Sequence, residues 1–220
     1  MGAAEMPARV VIRNEALRLF AEHGADAVSL RQVAAAAGVS AGLVVHHFGG
    51  KDGLRAAVDE HAAGICEDVL DEVRRSARRA GGIDAVPSLA ESGDASFTGA
   101  LLRRLPQDSP VPLYLRRLLL SGDQTGLRVF RSWYRARREL LDEMVAAGAV
   151  RPGRDRAVHS AFLVLNDLAV LLLRDQLIQV LGVDPLTPEG MARWARQALA
   201  AYGDGPLSDD GDGTAPAHGT

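Results

Sequence analysis

The chain is poor in cysteine, in lysine and in aromatic residues, and it lacks a long apolar run. Cys66 is the single cysteine among 220 residues, which excludes an internal disulfide framework and favours a reducing compartment. A membrane-spanning helix needs about 18 uninterrupted apolar residues, and the best candidate, 161–173, is interrupted by Asn166 and Asp167. The N-terminus shows no apolar block of a signal peptide. These absences predict a cytoplasmic protein without a membrane partner.

The basic residues are almost all arginine, and the acidic residues are unevenly distributed. Lys51 is the one lysine among 25 basic residues, and the net charge is −3. Residues 204–220 contain four aspartates and no basic residue, so the rest of the chain carries a net charge of +1. Binding to nucleic acid would therefore depend on local geometry, because no broad basic patch exists.

Helical periodicity extends over nearly the whole chain, which predicts an all-α fold. Residues 8–23, for example, carry Ile12, Ala16 and Phe20 at helical spacing. Glycine and proline residues separate further predicted helices, shorter between residues 83 and 122 and longer at about 51–80, 124–147, 155–181 and 188–202. The segment 204–220 is rich in Gly, Asp, Pro and Ser, which predicts a disordered acidic tail.

Residues 29–51, SLRQVAAAAGVSAGLVVHHFGGK, form the motif that carries function. Ser29 and Gln32 have the spacing of a capping box. Gly38 supplies a positive φ for a short turn, and Ser40 can cap a second short helix. Two short helices joined by such a turn predict a helix-turn-helix at about 28–47, whose second helix enters a DNA major groove.

This segment resembles the TetR family of bacterial transcriptional regulators over residues 8–65. The resemblance rests on the LF-x-x-x-G end of the first helix, on S-L-R-Q-V-A, on A-x-x-A-G-V-S and on H-H-F-x-x-K-D-x-L. It implies an N-terminal three-helix DNA-binding domain at 5–65 and a C-terminal helical domain for effector binding and dimerisation at 66–203. It also implies a homodimer that binds a palindromic operator in double-stranded DNA, and a small-molecule effector.

The resemblance assigns DNA contacts by position. Arg31, Ser40 and Lys51 would contact phosphates. The positions that face the bases or the adjacent backbone would be Ala41, Gly42, Leu43, Val45, His46 and His47. The family often has Lys, Thr and Tyr where this chain has Ala41, Leu43 and Val45, so readout through thymine methyls and DNA shape is expected. The two histidines could instead pack beside Phe48.

The resemblance also implies a ligand pocket and a dimer interface in the C-terminal half. Three of the ten aromatic residues lie between 130 and 134, so we expect a largely apolar effector between the helices at 124–147 and 155–181. The expected lining is Phe97, Tyr114, Phe130, Trp133, Tyr134, His159, Phe162 and Asn166. Core packing is the alternative for these residues. The expected dimer interface is Leu163, Val170, Met191, Trp194 and Ala198.

The favoured hypothesis is a ligand-responsive repressor, with an activator on the same fold as the alternative. A small all-α enzyme is less favoured because the sequence contains no H-E-x-x-H, G-x-S-x-G or metal-spaced cysteine pair. No cofactor and no metal are expected. A third alternative is an adaptor that uses the helix-turn-helix only as a packing corner.

Overall fold

The structure, a computed structural model, describes residues 7–79, 97–106, 108–146 and 155–203. Within these ranges the chain forms ten α-helices and no strand, as predicted. The helices are α1 (Ala8–His23), α2 (Leu30–Ala36), α3 (Ala41–Phe48), α4 (Lys51–Arg79), α5 (Phe97–Arg104), α6 (Val111–Leu120), α7 (Gln124–Ala146), α8 (Arg156–Leu172), α9 (Arg174–Leu181) and α10 (Pro188–Gly203). The predicted tail 204–220 lies outside the described residues.

Helices α1 to α3 pack around a small apolar core at the start of α4. Ile12 and Phe20 of α1, Val33 of α2 and Val44 of α3 are all buried in this core. Gly53 allows α4 to begin directly against α3, because a Cβ at this position would lie 1.9 Å from the carbonyl oxygen of Phe48. The first turn of α4 therefore fixes the position of α3.

The long helix α4 connects the N-terminal helices to the C-terminal ones. Its N-terminal part packs on α1 and α3, and its later part packs on α5 and α7. Leu54 and Val58 near its start and Val69 further along are buried in one continuous apolar core. Helix α6 also packs on both α1 and α7, so two helices join the N-terminal and C-terminal halves.

The single helix that was predicted at 155–181 is divided in two, which corrects the prediction. Helices α8 and α9 meet at Leu173, whose φ of −114° and ψ of 25° are not helical, and they bend by 79°. Ion pairs hold α9 in its bent position: Arg174 bonds to Asp184 at 3.1 Å and Asp175 lies 3.5 Å from Arg116 of α6. No glycine or proline marks this break in the sequence.

No single helix within the described residues is long and apolar enough to cross a membrane. Only the bent pair α8 and α9 passes the same test of length and composition when the two helices are taken together.

Candidate nucleic-acid interface and ligand cavity

The helix-turn-helix forms from the local signals of the sequence. The backbone N–H of Ser29 donates to Gln32 Oε1 at 2.8 Å, and the Gln32 N–H donates to Ser29 Oγ at 3.3 Å, which confirms the capping box. Gly38 has a φ of +68° in the turn. Ser40 accepts a hydrogen bond from the N–H of Leu43 at 3.2 Å and caps α3. Helices α2 and α3 are thereby set in a fixed corner.

Helix α3 has a buried inner face and an exposed outer face. Val44 and Phe48 are buried in the core, whereas 46% of the Val45 side chain is exposed. Gly42 and His46 are also exposed, and Ala41, Leu43 and His47 are half-buried. All the α3 residues expected to contact DNA thus keep some exposed surface, and Ala41 also packs on the core.

The expected phosphate-contacting residues flank this face. Arg31 and Ser40 are exposed, and Lys51 is half-buried at the start of α4. The Lys51 Nζ donates a hydrogen bond to the carbonyl oxygen of Asp26 at 2.8 Å. This contact holds the lysine across the loop between α1 and α2, where one of its three N–H donors is occupied.

Arg9 is a further candidate for the DNA-binding surface around α3, and the sequence analysis did not single it out. Its Nη1 donates to the carbonyl oxygen of His47 at 3.2 Å, and its guanidinium carbon lies 5.0 Å from the centroid of the Phe48 ring. The cation therefore lies at the C-terminal end of α3, where it complements the helix dipole. Only the tertiary contact between α1 and α3 reveals this role.

Helix α6 is joined to α1 by one arginine. Arg117 Nε donates to the carbonyl oxygen of Ala21 at 2.7 Å, and its Nη2 donates to that of Glu22 at 3.0 Å. Both carbonyls belong to the last turn of α1, where they lack partners in the helix itself. Arg117 therefore connects the C-terminal half to the end of the helix that carries α2 and α3.

A buried polar cluster, formed by Asp59 and Arg55 of α4 and Tyr114 of α6, joins these two helices. Tyr114 donates a short hydrogen bond to Asp59 Oδ1, and the Arg55 Nε lies 3.9 Å from the other oxygen of Asp59. Burial raises the pKa of Asp59, and the Tyr114 hydrogen bond only partly offsets this. Burial also raises the pKa of the Tyr114 hydroxyl, so that the tyrosine remains a donor. Tyr114 thus links α4 to α6 through a buried hydrogen bond, and it does not line the cavity between α4, α5, α7 and α8.

A cavity of about 580 Å³ lies between α4, α5, α7 and α8. Its apolar wall includes Phe97, Trp133 and Val164. The Phe97 and Trp133 rings lie 4.1 Å apart. Eight of the fifteen lining residues are charged, so the wall is far more polar than the sequence predicted.

Of the eight residues expected to line a ligand pocket, Phe97 and Trp133 line this cavity and the other six do not; ligand binding here stays a prediction. Phe162 is 51% exposed on the outside of α8. The residues outside the lining are Tyr114, Phe130, Tyr134, His159, Phe162 and Asn166. For the two α7 residues the cause is the rotation of the helix: Trp133, which lies about 60° around the helix from Phe130 and about 100° from Tyr134, is the one that faces inward.

Helix α8 is apolar on two opposite faces. Its inner face, with Val164, Leu168 and Leu171, is buried, whereas Val158, Phe162 and Leu165 are 64%, 51% and 54% exposed. Among the residues expected at the dimer interface, Val170 is 4% exposed. It packs within the chain and is not available to a partner, which corrects that expectation.

The other expected interface residues keep some exposed surface where they are described. Leu163, Met191 and Trp194 are half-buried, and the side chain of Ala198 lies outside the described ones. Helix α10, which carries the last three, makes few contacts with the other described helices.

Cys66 and the other potential metal ligands contribute no reactive site among the described residues. Cys66 is fully buried in α4, and burial raises the pKa of its thiol. No group of three His, Cys, Asp or Glu side chains within the described ranges could hold a metal ion.

Comparison with known proteins agrees with this architecture. Residues 12–58 match the family described as bacterial regulatory proteins, tetR family, and residues 107–205 match the tetracyclin repressor-like C-terminal domain. The chain is 35% identical over 166 residues to the HTH-type transcriptional regulatory protein RaaS of Mycobacterium tuberculosis, which covers 76% of this chain and 70% of RaaS. It is also 35% identical over 172 residues to the HTH-type transcriptional repressor KstR2 of Rhodococcus jostii, covering 76% and 78% of the two chains.

Solved structures share the fold at lower identity. SmeT, the repressor of the Stenotrophomonas maltophilia multidrug efflux pump SmeDEF, superposes with a TM-score of 0.65 at 22% identity and covers 90% of this chain and 91% of SmeT. Its complex with triclosan has a TM-score of 0.59 at 20% identity and covers 89% and 91%. The relatives are transcriptional regulators and not enzymes. The chain belongs to the TetR family of bacterial transcriptional regulators.

Proposed function

We propose that the chain is a cytoplasmic, homodimeric repressor that leaves a palindromic operator when a small molecule binds the cavity. The observation that carries this proposal is that one helix, α4, connects the cavity to the DNA-binding helices. The cavity is lined by α4, whose first turn packs on the recognition helix α3. KstR2 and SmeT, both named repressors, support the sign of regulation.

The DNA-binding part of the proposal rests on the exposed surface around α3. Val45 and His46 would meet base edges in the major groove, while Arg31, Ser40 and Lys51 would meet phosphates on either side. Arg9, at the C-terminal end of α3, adds a positive charge next to this surface. Few of these side chains form bidentate hydrogen bonds with bases, so shape readout contributes to specificity.

The dimeric part rests on the exposed apolar face of α8. Val158, Phe162 and Leu165 would form a contiguous exposed apolar stripe in a monomer, which monomeric proteins seldom tolerate. Helix α10 follows α9 in the chain and packs little on other described helices, so it is available to the same interface. A two-fold axis at this surface would present two α3 helices to successive major grooves, about 34–36 Å apart.

The effector part rests on the cavity. The DNA-binding domain would span about 5–65, and the effector-binding and dimerisation domain that contains the cavity would span about 66–203. The volume of the cavity falls within the range typical of small-molecule sites, about 300–1,000 Å³. SmeT, which shares the fold, forms a complex with triclosan. A ligand that fits one arrangement of α4 better than another would shift the population of DNA-binding dimers by that difference in affinity.

Fluorescence anisotropy with DNA from upstream of the chain's own gene tests the proposal. We expect tighter binding to this DNA than to a scrambled duplex. Replacement of Arg31 or Lys51 by alanine should weaken binding to every sequence and lower the salt slope by about one. Arg131→Ala is the matched control, because Arg131 is exposed on α7, away from α2 and α3.

Equal affinity for the two duplexes would contradict operator recognition. An unchanged salt slope for both Arg31→Ala and Lys51→Ala would remove these two residues from the phosphate contacts.

A further inference from the structure

We infer that the cavity accepts an amphiphilic organic anion, with an apolar body and a carboxylate-like head. This inference rests on the proposed effector function of the cavity and specifies its ligand class. The observations that carry it are the arginines without an ion pair and the unpaired donors of the cavity wall, which together favour a ligand head that is anionic and accepts hydrogen bonds.

The cavity wall contains four arginines and four carboxylates, and they differ in whether they form ion pairs. Arg74 lies 3.3 Å from Asp71 and 3.1 Å from Glu139, and Arg137 lies 3.3 Å from Asp167. Three of the four carboxylates are thus ion-paired, and they share two arginines, so this paired group keeps one net negative charge.

The two remaining arginines of the wall keep uncompensated charge. Arg75 and Arg135 line the cavity, are exposed and form no ion pair with any residue that the structure describes. Glu143 is the one carboxylate of the wall that is left to oppose them. The eight charges of the wall sum to zero, but within the described residues two arginines and only one carboxylate are left without an ion pair, so two guanidinium groups are available to bind an anion.

The buried polar atoms of the wall that lack a partner are both donors. Trp133 is 97% buried, and its Nε1 has no hydrogen-bond partner among the described residues; the Nε of Arg74 is in the same situation. A buried donor without an acceptor is unfavourable, because it has lost its hydrogen bonds to water without replacing them. A ligand that supplies acceptor oxygens removes this cost, whereas an ammonium group supplies none.

The rest of the wall accommodates an apolar body. Leu70, Val73, Ala136, Leu140 and Val164 line the same cavity. A chain of about ten carbons fits a site of this size. Charge-assisted hydrogen bonds are about twice as strong as neutral ones, so a carboxylate should be preferred to an alcohol of equal length.

Three probes of one length separate these possibilities: decanoate, decanol and decylamine. Trp133 and Trp194 are the two tryptophans of the chain, so the Trp194→Phe variant reports on Trp133 fluorescence alone. We expect decanoate to bind at least about tenfold more tightly than decanol. Decylamine, which is positively charged, should bind more weakly than decanol.

Variants of the wall test the origin of this preference. The double variant Arg75→Gln, Arg135→Gln should reduce the preference for decanoate over decanol to about threefold or less while decanol binding stays constant. Arg131→Gln, outside the cavity on the same helix as Arg135, should leave the preference unchanged. Trp133→Phe, followed by calorimetry, should weaken decanoate binding by about threefold to tenfold.

Decanoate affinity that is equal to or below that of decanol overturns the inference, as does failure of all three probes to bind. A preference for decanoate that survives the double arginine substitution also overturns it. Operator binding is measured separately. Carboxylate-selective binding that never releases the operator would refute the proposed effector response and leave the ligand class established. Operator binding without any carboxylate preference would refute the ligand class and leave the proposed DNA-binding function in place.

Discussion

Arg117 should be the most informative single substitution, because it makes the side-chain contact between α6 and the end of α1. In Arg117→Ala the carbonyl oxygens of Ala21 and Glu22 lose their charged donors, which lie at 2.7 Å and 3.0 Å. A hydrogen bond to a charged group contributes about 1.5–3 kcal/mol when it is buried. Water can replace part of this donor at the surface, so we expect a total loss of about 1–2 kcal/mol.

Thermal unfolding measures this loss. A change of 1 kcal/mol shifts the Tm of a chain of this size by about 2–4 °C, so Arg117→Ala should lower the Tm by about 2–8 °C. Amide hydrogen exchange should also accelerate in the last turn of α1, because this turn loses its cap. Arg117→Lys keeps the charge but not the fork of donors, so its Tm and its exchange rate should lie between those of the unmodified protein and those of Arg117→Ala.

The neighbouring arginine provides the control. Arg116 lies on the same helix and pairs with Asp175 of α9 at 3.5 Å, and it forms no hydrogen bond or ion pair with the described residues of α1. An exposed ion pair contributes about 0–1 kcal/mol, and its loss should leave exchange in α1 unchanged. If Arg116→Ala and Arg117→Ala show the same Tm and the same exchange, Arg117 does not hold α1 and the reasoning fails.

Two further predictions concern the buried acid and the outer face of α8. The raised pKa of Asp59 means that the folded chain holds this proton more tightly than the unfolded chain. The contribution of Asp59 to stability is therefore present at low pH and lost as pH rises from about 4 through the raised pKa. Asp59→Asn should abolish this dependence in urea unfolding, and a constant difference between the two proteins across pH would contradict it. Phe162→Glu should convert the dimer to a monomer in light scattering, whereas Leu120→Glu, at a position 67% exposed on α6, should remain dimeric; a dimeric Phe162→Glu protein would refute this interface.

The sequence predicted the helix-turn-helix well because its signals are local. The capping box of Ser29 and Gln32, the turn at Gly38 and the cap at Ser40 each depend on residues within a few positions of one another. Thr187 behaves in the same way, since its Oγ1 accepts from the N–H of Gly190 at 3.2 Å at the start of α10. Such short-range hydrogen bonds are readable from residue type and spacing.

The cavity was poorly predicted because it depends on how helices rotate against one another. Phe130, Trp133 and Tyr134 are all apolar enough to face inward, and periodicity does not choose between directions that differ by about 60–100°. Packing against Phe97 of α5 selects Trp133. The charged wall also escaped prediction, because Arg74 and Glu139 are 65 positions apart and only tertiary structure brings them together.

The break at Leu173 was missed for a related reason. Pattern-based reasoning ends helices at glycine, proline or a capping residue, and none of these signals marks the junction of α8 and α9. The ion pairs of α9 are made with Asp184 and Arg116, which lie eleven positions after and far before Leu173, so the residues next to the break do not reveal them.

The position of Lys51 makes the DNA-binding surface chemically addressable. Because Lys51 is the one lysine of the chain, an amine-reactive reagent can modify only its Nζ and the terminal amine. The contact with the Asp26 carbonyl oxygen holds that Nζ at a defined point beside the recognition helix. A fluorophore or crosslinker attached there therefore needs no engineered cysteine, and the rate of its attachment in the presence and absence of DNA reports whether this one side chain is covered.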